Sequence, residues 1–276
     1  MFRPAFATFF GTIVAATIAS APAQADATPW DGDTRSGVRL IAGGGGADGL
    51  RAGVEIRLAP GWKTYWRYPG DSGVPPQFDF GKSENVNAVT VGWPAPQRIT
   101  DSEGVTIGYK GGVVFPLTIV PQDASRPVKL RLNLDYAICE KLCVPAQGRA
   151  ELVIKPGSAA EPAITLADKT VPRPLPIGAN AALSVKSVTR DGRVKPPRIH
   201  VDVAAPAGTQ LDVFAEGPAP DWALPVPERI EGAPDGLQRF VFALDGLPPG
   251  ASARGADLKI TAVAGTDAIE TTYRLD

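Results

Sequence analysis

The sequence is poor in the residues that most metal and acid–base chemistry uses. Its 276 residues hold one histidine (His200), one methionine (Met1) and two cysteines. A zinc site of several His or Cys ligands cannot be assembled from so few in one chain. A Met-rich copper site is excluded, and a His-based catalytic triad would depend on His200 alone. Neither sign of charge is in excess, since 28 Lys and Arg stand against 29 Asp and Glu, for a net charge of −1. That balance leaves no electrostatic footprint for nucleic acid, and no polybasic run points to anionic lipid. Long stretches rich in Leu, Glu, Lys and Gln are scarce, which argues against a helical bundle.

Turn formers are plentiful. Gly 30 and Pro 28 exceed the usual share of about 12%. They stay below the 25–30% or so at which a chain stops being globular, so this is a turn-rich folded protein. Its first 25 residues read as an export signal. Arg3 is the positive n-region, Phe6 to Ile18 the apolar run, and Ala23-Gln24-Ala25 a small-x-small cleavage site. The mature chain is expected to start at Asp26 and to lack a membrane span, because no later segment has about 18 uninterrupted apolar residues. The expected compartment is the periplasm, where two cysteines can pair.

Period-two alternation dominates the rest. Val54, Ile56 and Leu58 alternate with Glu55 and Arg57, and Leu130, Leu132, Leu134 and Tyr136 with Lys129, Arg131, Asn133 and Asp135. Further runs are Leu183–Val188, Ile199–Val203 and Leu258–Ala264, with His200 and Asp202 opposite Ile199, Val201 and Val203. With turn clusters every 8–12 residues or so, this predicts an all-β chain: two immunoglobulin-like antiparallel sandwiches in tandem. The expected organisation is a signal peptide at 1–25, a first domain at 26–155, a Pro-rich linker at 156–178 and a second domain at 179–276. Within the linker Ser158 is a candidate cap for a short helix through Ala159–Lys169, with Pro162 in its first turns. Gly44–Gly49 matches G-x-G-x-x-G but lies between two strand patterns, so it reads as a hairpin tip rather than a dinucleotide loop.

The informative stretch is Asp135–Pro145, which carries Cys139 and Cys143 at the tip of a predicted hairpin between a strand ending near Tyr136 and another at about Arg149–Ile154. Facing positions there are close enough for a disulfide. Three readings stay open. As a staple, a five-residue loop contributes only ~2 kcal/mol, against ~3 for fifteen. As a redox centre, an exposed short-loop disulfide is readily reduced. As a metal pair, the two thiolates would take Cu(I), with His200 a strand residue of the other domain.

The residues then resemble a family. Gly61-Trp62-Lys63-Thr64-Tyr65-Trp66-Arg67, Ile107-Gly108-Tyr109 followed by Val114-Phe115-Pro116-Leu117, and Tyr136-x-x-Cys139…Cys143-x-Pro145 resemble segments of the periplasmic N-terminal domain of the thiol:disulfide interchange protein DsbD and of the copper-sensitivity suppressor ScsB. The resemblance covers roughly Gly53 to Ile154. It implies an immunoglobulin-like domain acting as a protein-disulfide reductase or exchange component, without a cofactor beyond the disulfide. Cys139 and Cys143 would be the redox pair and Cys143 the attacking thiol, with Tyr65, Tyr109, Tyr136 and Pro145 near them. Implied partners are periplasmic thioredoxin-like or disulfide-isomerase proteins and a separate membrane electron-transfer protein, since no C-x-x-C domain or transmembrane conduit is present in these residues. The alternatives are Cu(I) handling by the same thiols and a non-enzymatic adaptor with a structural bridge.

Two features depart from the DsbD pattern. The spacing is C-x3-C rather than C-x5-C, and the segment Pro96–Gly108 lacks the family's capping Phe. Two loops have two readings each: Gly70–Pro76 flanks the cysteine tip or, as sequence favours, simply connects strands, and Asp221-Trp222 with Leu224–Pro227 is a binding loop or, by preference, an ordinary sandwich edge. The second domain is assigned a scaffold or docking role.

Overall fold

The alternating runs become strands throughout. The computed structural model describes residues 27–46, 49–70, 73–101, 104–157 and 161–276, so the export signal lies outside the described residues. The first half contains β1 (Asp31–Gly32), β2 (Ser36–Gly46), β3 (Gly49–Leu58), β4 (Lys63–Gly70), β5 (Gln77–Asp79), β6 (Val86–Val91), β7 (Gln97–Asp101), β8 (Gly104–Lys110), β9 (Gly112–Pro121), β10 (Val128–Cys139) and β11 (Cys143–Ile154). One sheet runs β1-β2-β3-β9-β6. The facing sheet runs β11-β10-β4-β8-β7, with β5 added on β10. Apolar residues of the two inner faces meet between them, as when the Tyr109 ring of one sheet sets its edge against Phe115 of the other at 5.5 Å.

The Gly-rich G-x-G-x-x-G stretch closes the β2–β3 hairpin, with Gly46 opposite Gly49, and residues 47–48 between them lie outside the described residues.

The linker is shared between the halves. Helix α1 (Pro162–Thr170) starts later than its expected Ala159 because Pro162 is its first residue and Glu161 its N-cap. Proline lacks the N–H that a later helical position must donate, and it drives the residue before it out of helical geometry. The expected cap, Ser158, lies outside the described residues. The helix packs on the first sandwich, where Gly53 leaves room for Ile164 and Arg51 pairs with Asp168. β12 (Arg173–Pro174), within the Pro-rich connector, instead joins the second half as a parallel strand beside Ile269–Glu270.

The second half adds β13 (Ser184–Asp191), β14 (Arg198–Ala204), β15 (Leu211–Glu216), β16 (Glu228–Ile230), β17 (Gln238–Ala243), β18 (Asp257–Ala264) and β19 (Asp267–Arg274). They form the sheets β12-β19-β18-β15 and β13-β14-β17-β16. The fold is therefore all-β, with immunoglobulin-like sandwiches in tandem.

On β14 the polar face is covered rather than open. Asp202 is only 5% exposed. It accepts Arg239 Nε at 2.6 Å, the second Arg239 nitrogen at 2.7 Å and Ser187 Oγ at 3.0 Å. The Arg239 hydrogen bonds, partly opposed by burial, hold its carboxyl below the usual 3.8. A depressed carboxylate stabilises the fold above its unfolded value and stops doing so as pH falls through its folded value. Asp202→Asn should therefore cost stability at pH 7, and its gap from the parent should close as pH drops below about 4. Parallel urea titrations at several pH values check this, and a gap that is unchanged at acid pH would refute it.

The two sandwiches are joined through β4 and β7. Arg67 forms a bidentate pair with Glu216 at 2.8 and 2.7 Å and also reaches Glu270. Burial pulls the Arg67 guanidinium down, but the two carboxylates outweigh it and hold it above its usual value. Arg98 binds Asp212 at 3.0 Å and the Pro227 carbonyl at 2.8 Å. Trp66, fully buried, packs 5.8 Å from Phe214, and Tyr68 donates its hydroxyl to the Leu224 carbonyl. Leu224–Pro227 is thus neither a free loop nor a plain edge, because two residues of the first sandwich bind its carbonyls.

Candidate functional site

β10 and β11 pair without a break, from Val128 opposite Ile154 to Cys139 opposite Cys143. β11 begins at Cys143, well before the expected Arg149. Its Pro145, opposite Ala137, is tolerated because β11 is the edge of its sheet and one lost donor faces no partner strand. Along β10 the even residues from Val128 to Ile138 enter the core. At its end the other face is buried as well, because Ala137 and Cys139 pack with Tyr65 in a small cluster of their own. Glu140, Lys141 and Leu142 form the exposed turn, and Leu142 is 78% exposed.

The cysteines form a disulfide whose two ends differ. Cys139 is 5% exposed and Cys143 lies open at the surface. Exchange requires a thiolate to reach one sulfur from outside. The open end is Cys143, and the electron pair of the broken bond would then leave on Cys139.

β4 is the neighbouring strand of the same sheet. The Tyr65 hydroxyl lies 2.9 Å from Cys143 Sγ, and because a bridged sulfur has no hydrogen, the tyrosine donates. Burial, with Asp101 adding to it, raises the Tyr65 phenol above 10.0, so it remains a donor at neutral pH. Thr64 Oγ1 donates to the Ala137 carbonyl at 2.8 Å and ties β4 to the hairpin. Lys63 stands opposite Cys139 in the β4–β10 register. Facing residues of antiparallel strands project to the same side of a sheet. The Lys63 ammonium is buried and pairs with Asp101 at 2.5 Å.

Two turns flank these residues. A Cβ on Gly73 would lie 2.3 Å from the Tyr65 ring, so only glycine lets that backbone rest on the tyrosine. The Gly70–Pro76 stretch thus flanks the site as well as connecting strands; its residues 71–72 lie outside the described residues. At the other end Gly61 adjoins the Glu140 carboxylate.

The remaining candidates lie elsewhere. Tyr136 shares its hydrogen bond with Ser36 Oγ at 2.9 Å, and Tyr109 donates to the Pro94 carbonyl at 2.8 Å. Both are in the core between the sheets, since alternation turns Tyr136 away from the face that carries Cys139, and Tyr109 sits opposite core-facing Thr64. Pro145 shapes the hairpin two residues beyond Cys143. His200 sits on β14 in the other sandwich, opposite Thr189 and Val241. Among the described residues no group of three His, Cys, Asp or Glu side chains is placed to hold a metal. Lys63 and Asp101 are neighbours of the disulfide that the sequence pattern did not single out, while Gly73 belongs to the loop for which a flanking position was one of two readings. The strand register of Lys63 with Tyr65 was the available signal.

Residues 44–155 match the family described as the N-terminal part of the thiol:disulfide interchange protein DsbD. This stretch, under half of the chain, is similar to the DsbD N-terminal domain. The Cys139–Cys143 disulfide lies within the matched residues. The solved N-terminal periplasmic domain of ScsB from Proteus mirabilis is similar over both sandwiches, with a TM-score of 0.69 at 21% identity, covering 91% of this chain and 98% of that one. At that identity the likeness is one of fold. A conserved domain protein from Bacillus anthracis overlaps 85% of the chain and 75% of its own at 8% identity, but its TM-score is 0.24. No curated protein matches the chain. The matched stretch supplies every residue of the disulfide site, and among the described residues no helix is long and apolar enough to cross a membrane.

Proposed function

We propose that the protein is a periplasmic thiol:disulfide exchange module that passes two electrons between partner redox proteins through Cys139 and Cys143. The observation that carries this reading is the asymmetric disulfide, open at Cys143 and buried at Cys139, with the Tyr65 hydroxyl on the open sulfur. A thiolate of a partner dithiol bonds to Cys143 Sγ, and the pair of electrons from the broken bond leaves on Cys139. The partner's second thiol then gives up its proton and attacks its own sulfur in the mixed disulfide, which releases Cys143 as a thiolate. The partner becomes a disulfide, and the two thiolates here take up two protons. Tyr65 donates to the Cys143 sulfur at both ends of the reaction. The disulfide is the only redox group in this scheme, and a separate membrane protein renews the electrons. The second sandwich serves as the support of β4.

A redox titration with thiol trapping tests this. A midpoint between about −180 and −270 mV, the range of exchange-active proteins, is the expected result. A midpoint below about −300 mV would make the bridge a structural one. The same reduced sample, titrated with Cu(I) beside a variant lacking both cysteines, shows whether the thiols also take copper.

A further inference from the structure

Tyr65 serves the open sulfur, but the leaving group of the first step is the buried one. A thiolate formed at Cys139 emerges beside Tyr65 and Ala137, at a position 5% exposed, where water solvates it poorly. An isolated charge in such a place is costly unless an opposite charge stands beside it. The strand register sets the source of such a charge opposite the cysteine, because the residue facing Cys139 across the β10–β4 pair is Lys63. A lysine side chain 5% exposed is itself unusual, and its ion pair with Asp101 at 2.5 Å ties it to the end of β7.

Resting on the exchange reading above, we infer that Lys63 is the counter-ion of the Cys139 thiolate, held in place by Asp101 while the cysteines are bridged. When the bridge opens, the ammonium is shared between the Asp101 carboxylate and the new thiolate. The bond formed is partner sulfur to Cys143, the bond broken is Cys143 to Cys139, and no proton need reach the buried sulfur for it to leave. Lys63 touches neither partner nor the attacked sulfur, so it is a positioning charge and not a catalytic residue.

The other ionisable groups around Cys139 do not duplicate it. From β4 comes Tyr65, which remains a neutral phenol. From β7 comes Asp101, of the wrong sign. Lys110 on β8 stands beyond Lys63 in the register and is exposed. In the turn, Glu140 and Lys141 are exposed and of opposite sign, and Glu140 lies against Gly61.

The test is site-resolved alkylation of the reduced protein between about pH 5 and pH 9. Trypsin cuts after Lys141, so the two cysteines are read in separate peptides. Lys63→Met should shift the Cys139 alkylation profile up by about one pH unit, roughly a tenfold loss of reactive thiolate at a given pH. Lys63→Arg should restore most of it. Asp101→Asn frees the ammonium for the sulfur and should move the profile the opposite way. Opposite displacements by two conservative variants are not an effect of loosened packing, and Asp101→Asn decides the matter should Lys63→Met fail to fold. Profiles that coincide with the parent's in both variants, while the parent still exchanges with a protein dithiol, would overturn the counter-ion assignment alone. A parent that no dithiol protein reduces would overturn the exchange reading, and this inference with it.

Discussion

Cys143→Ala should leave the protein folded and remove disulfide exchange altogether. The side chain is exposed at the start of an edge strand, so its loss opens no cavity in the core. The bridge closes only a five-residue loop, and in the chain-entropy picture its removal costs about 2 kcal/mol. Turnover, in contrast, has no other route, because the described cysteines are both in the bridge and none is free. Cys139→Ala should behave differently. It keeps the open sulfur and loses the thiol that would displace a bound partner, so it should accumulate mixed disulfides. The measurement is reductase activity with a protein disulfide substrate, together with circular dichroism and a urea titration. A Cys143→Ala protein that is largely unfolded, or one that still turns over, would count against the exchange assignment.

Trp66→Ala should be the most damaging single change to the fold, by about 3–5 kcal/mol. The indole is fully buried and packs on Phe214 of the second sandwich, with the Arg67 guanidinium 4.4 Å above its ring. Removing it opens a cavity at the join and unseats the arginine that neutralises Glu216 and Glu270. Trp66→Phe should cost much less. It keeps most of the ring and discards an Nε1–H that is buried without a hydrogen-bond partner. Equilibrium unfolding of the three proteins checks the order. The next residue back along β4 is Tyr65, so the alanine variant should also exchange more slowly while its cysteines are intact. A cost under about 1 kcal/mol for Trp66→Ala would mean that the sandwiches barely support each other.

Much of this was legible in residue order. Alternation from Leu130 to Tyr136 announced a half-buried strand, because side chains on a pleated backbone change sides at each step. The hairpin tip followed from two strand patterns with the cysteines between them. Alternation stops predicting burial where another element covers the outer face, and that is where the reading fell short. Cys139 and Ala137 belong to the outward series and are buried where they pack with Tyr65 of the neighbouring strand. Lys63 reads as an exposed strand residue until its facing partner is known to be a cysteine, and facing partners depend on sheet order. Tyr109 and Tyr136 share a motif neighbourhood with the disulfide, yet alternation turns both rings into the core. Leu224–Pro227 looks like an edge because nothing in its composition shows that Tyr68 and Arg98 claim its carbonyls.

The join on β4 also bears on how such chains can diversify. Arginines on one side, Arg67 and Arg98, meet acids on the other, Glu216, Glu270 and Asp212. A second sandwich borrowed from a relative would have to bring those three carboxylates and an aromatic ring for Trp66, or leave two guanidinium groups stranded at the seam. The halves are therefore poor candidates for shuffling, and substitutions at the seam should be tolerated only in matched sets.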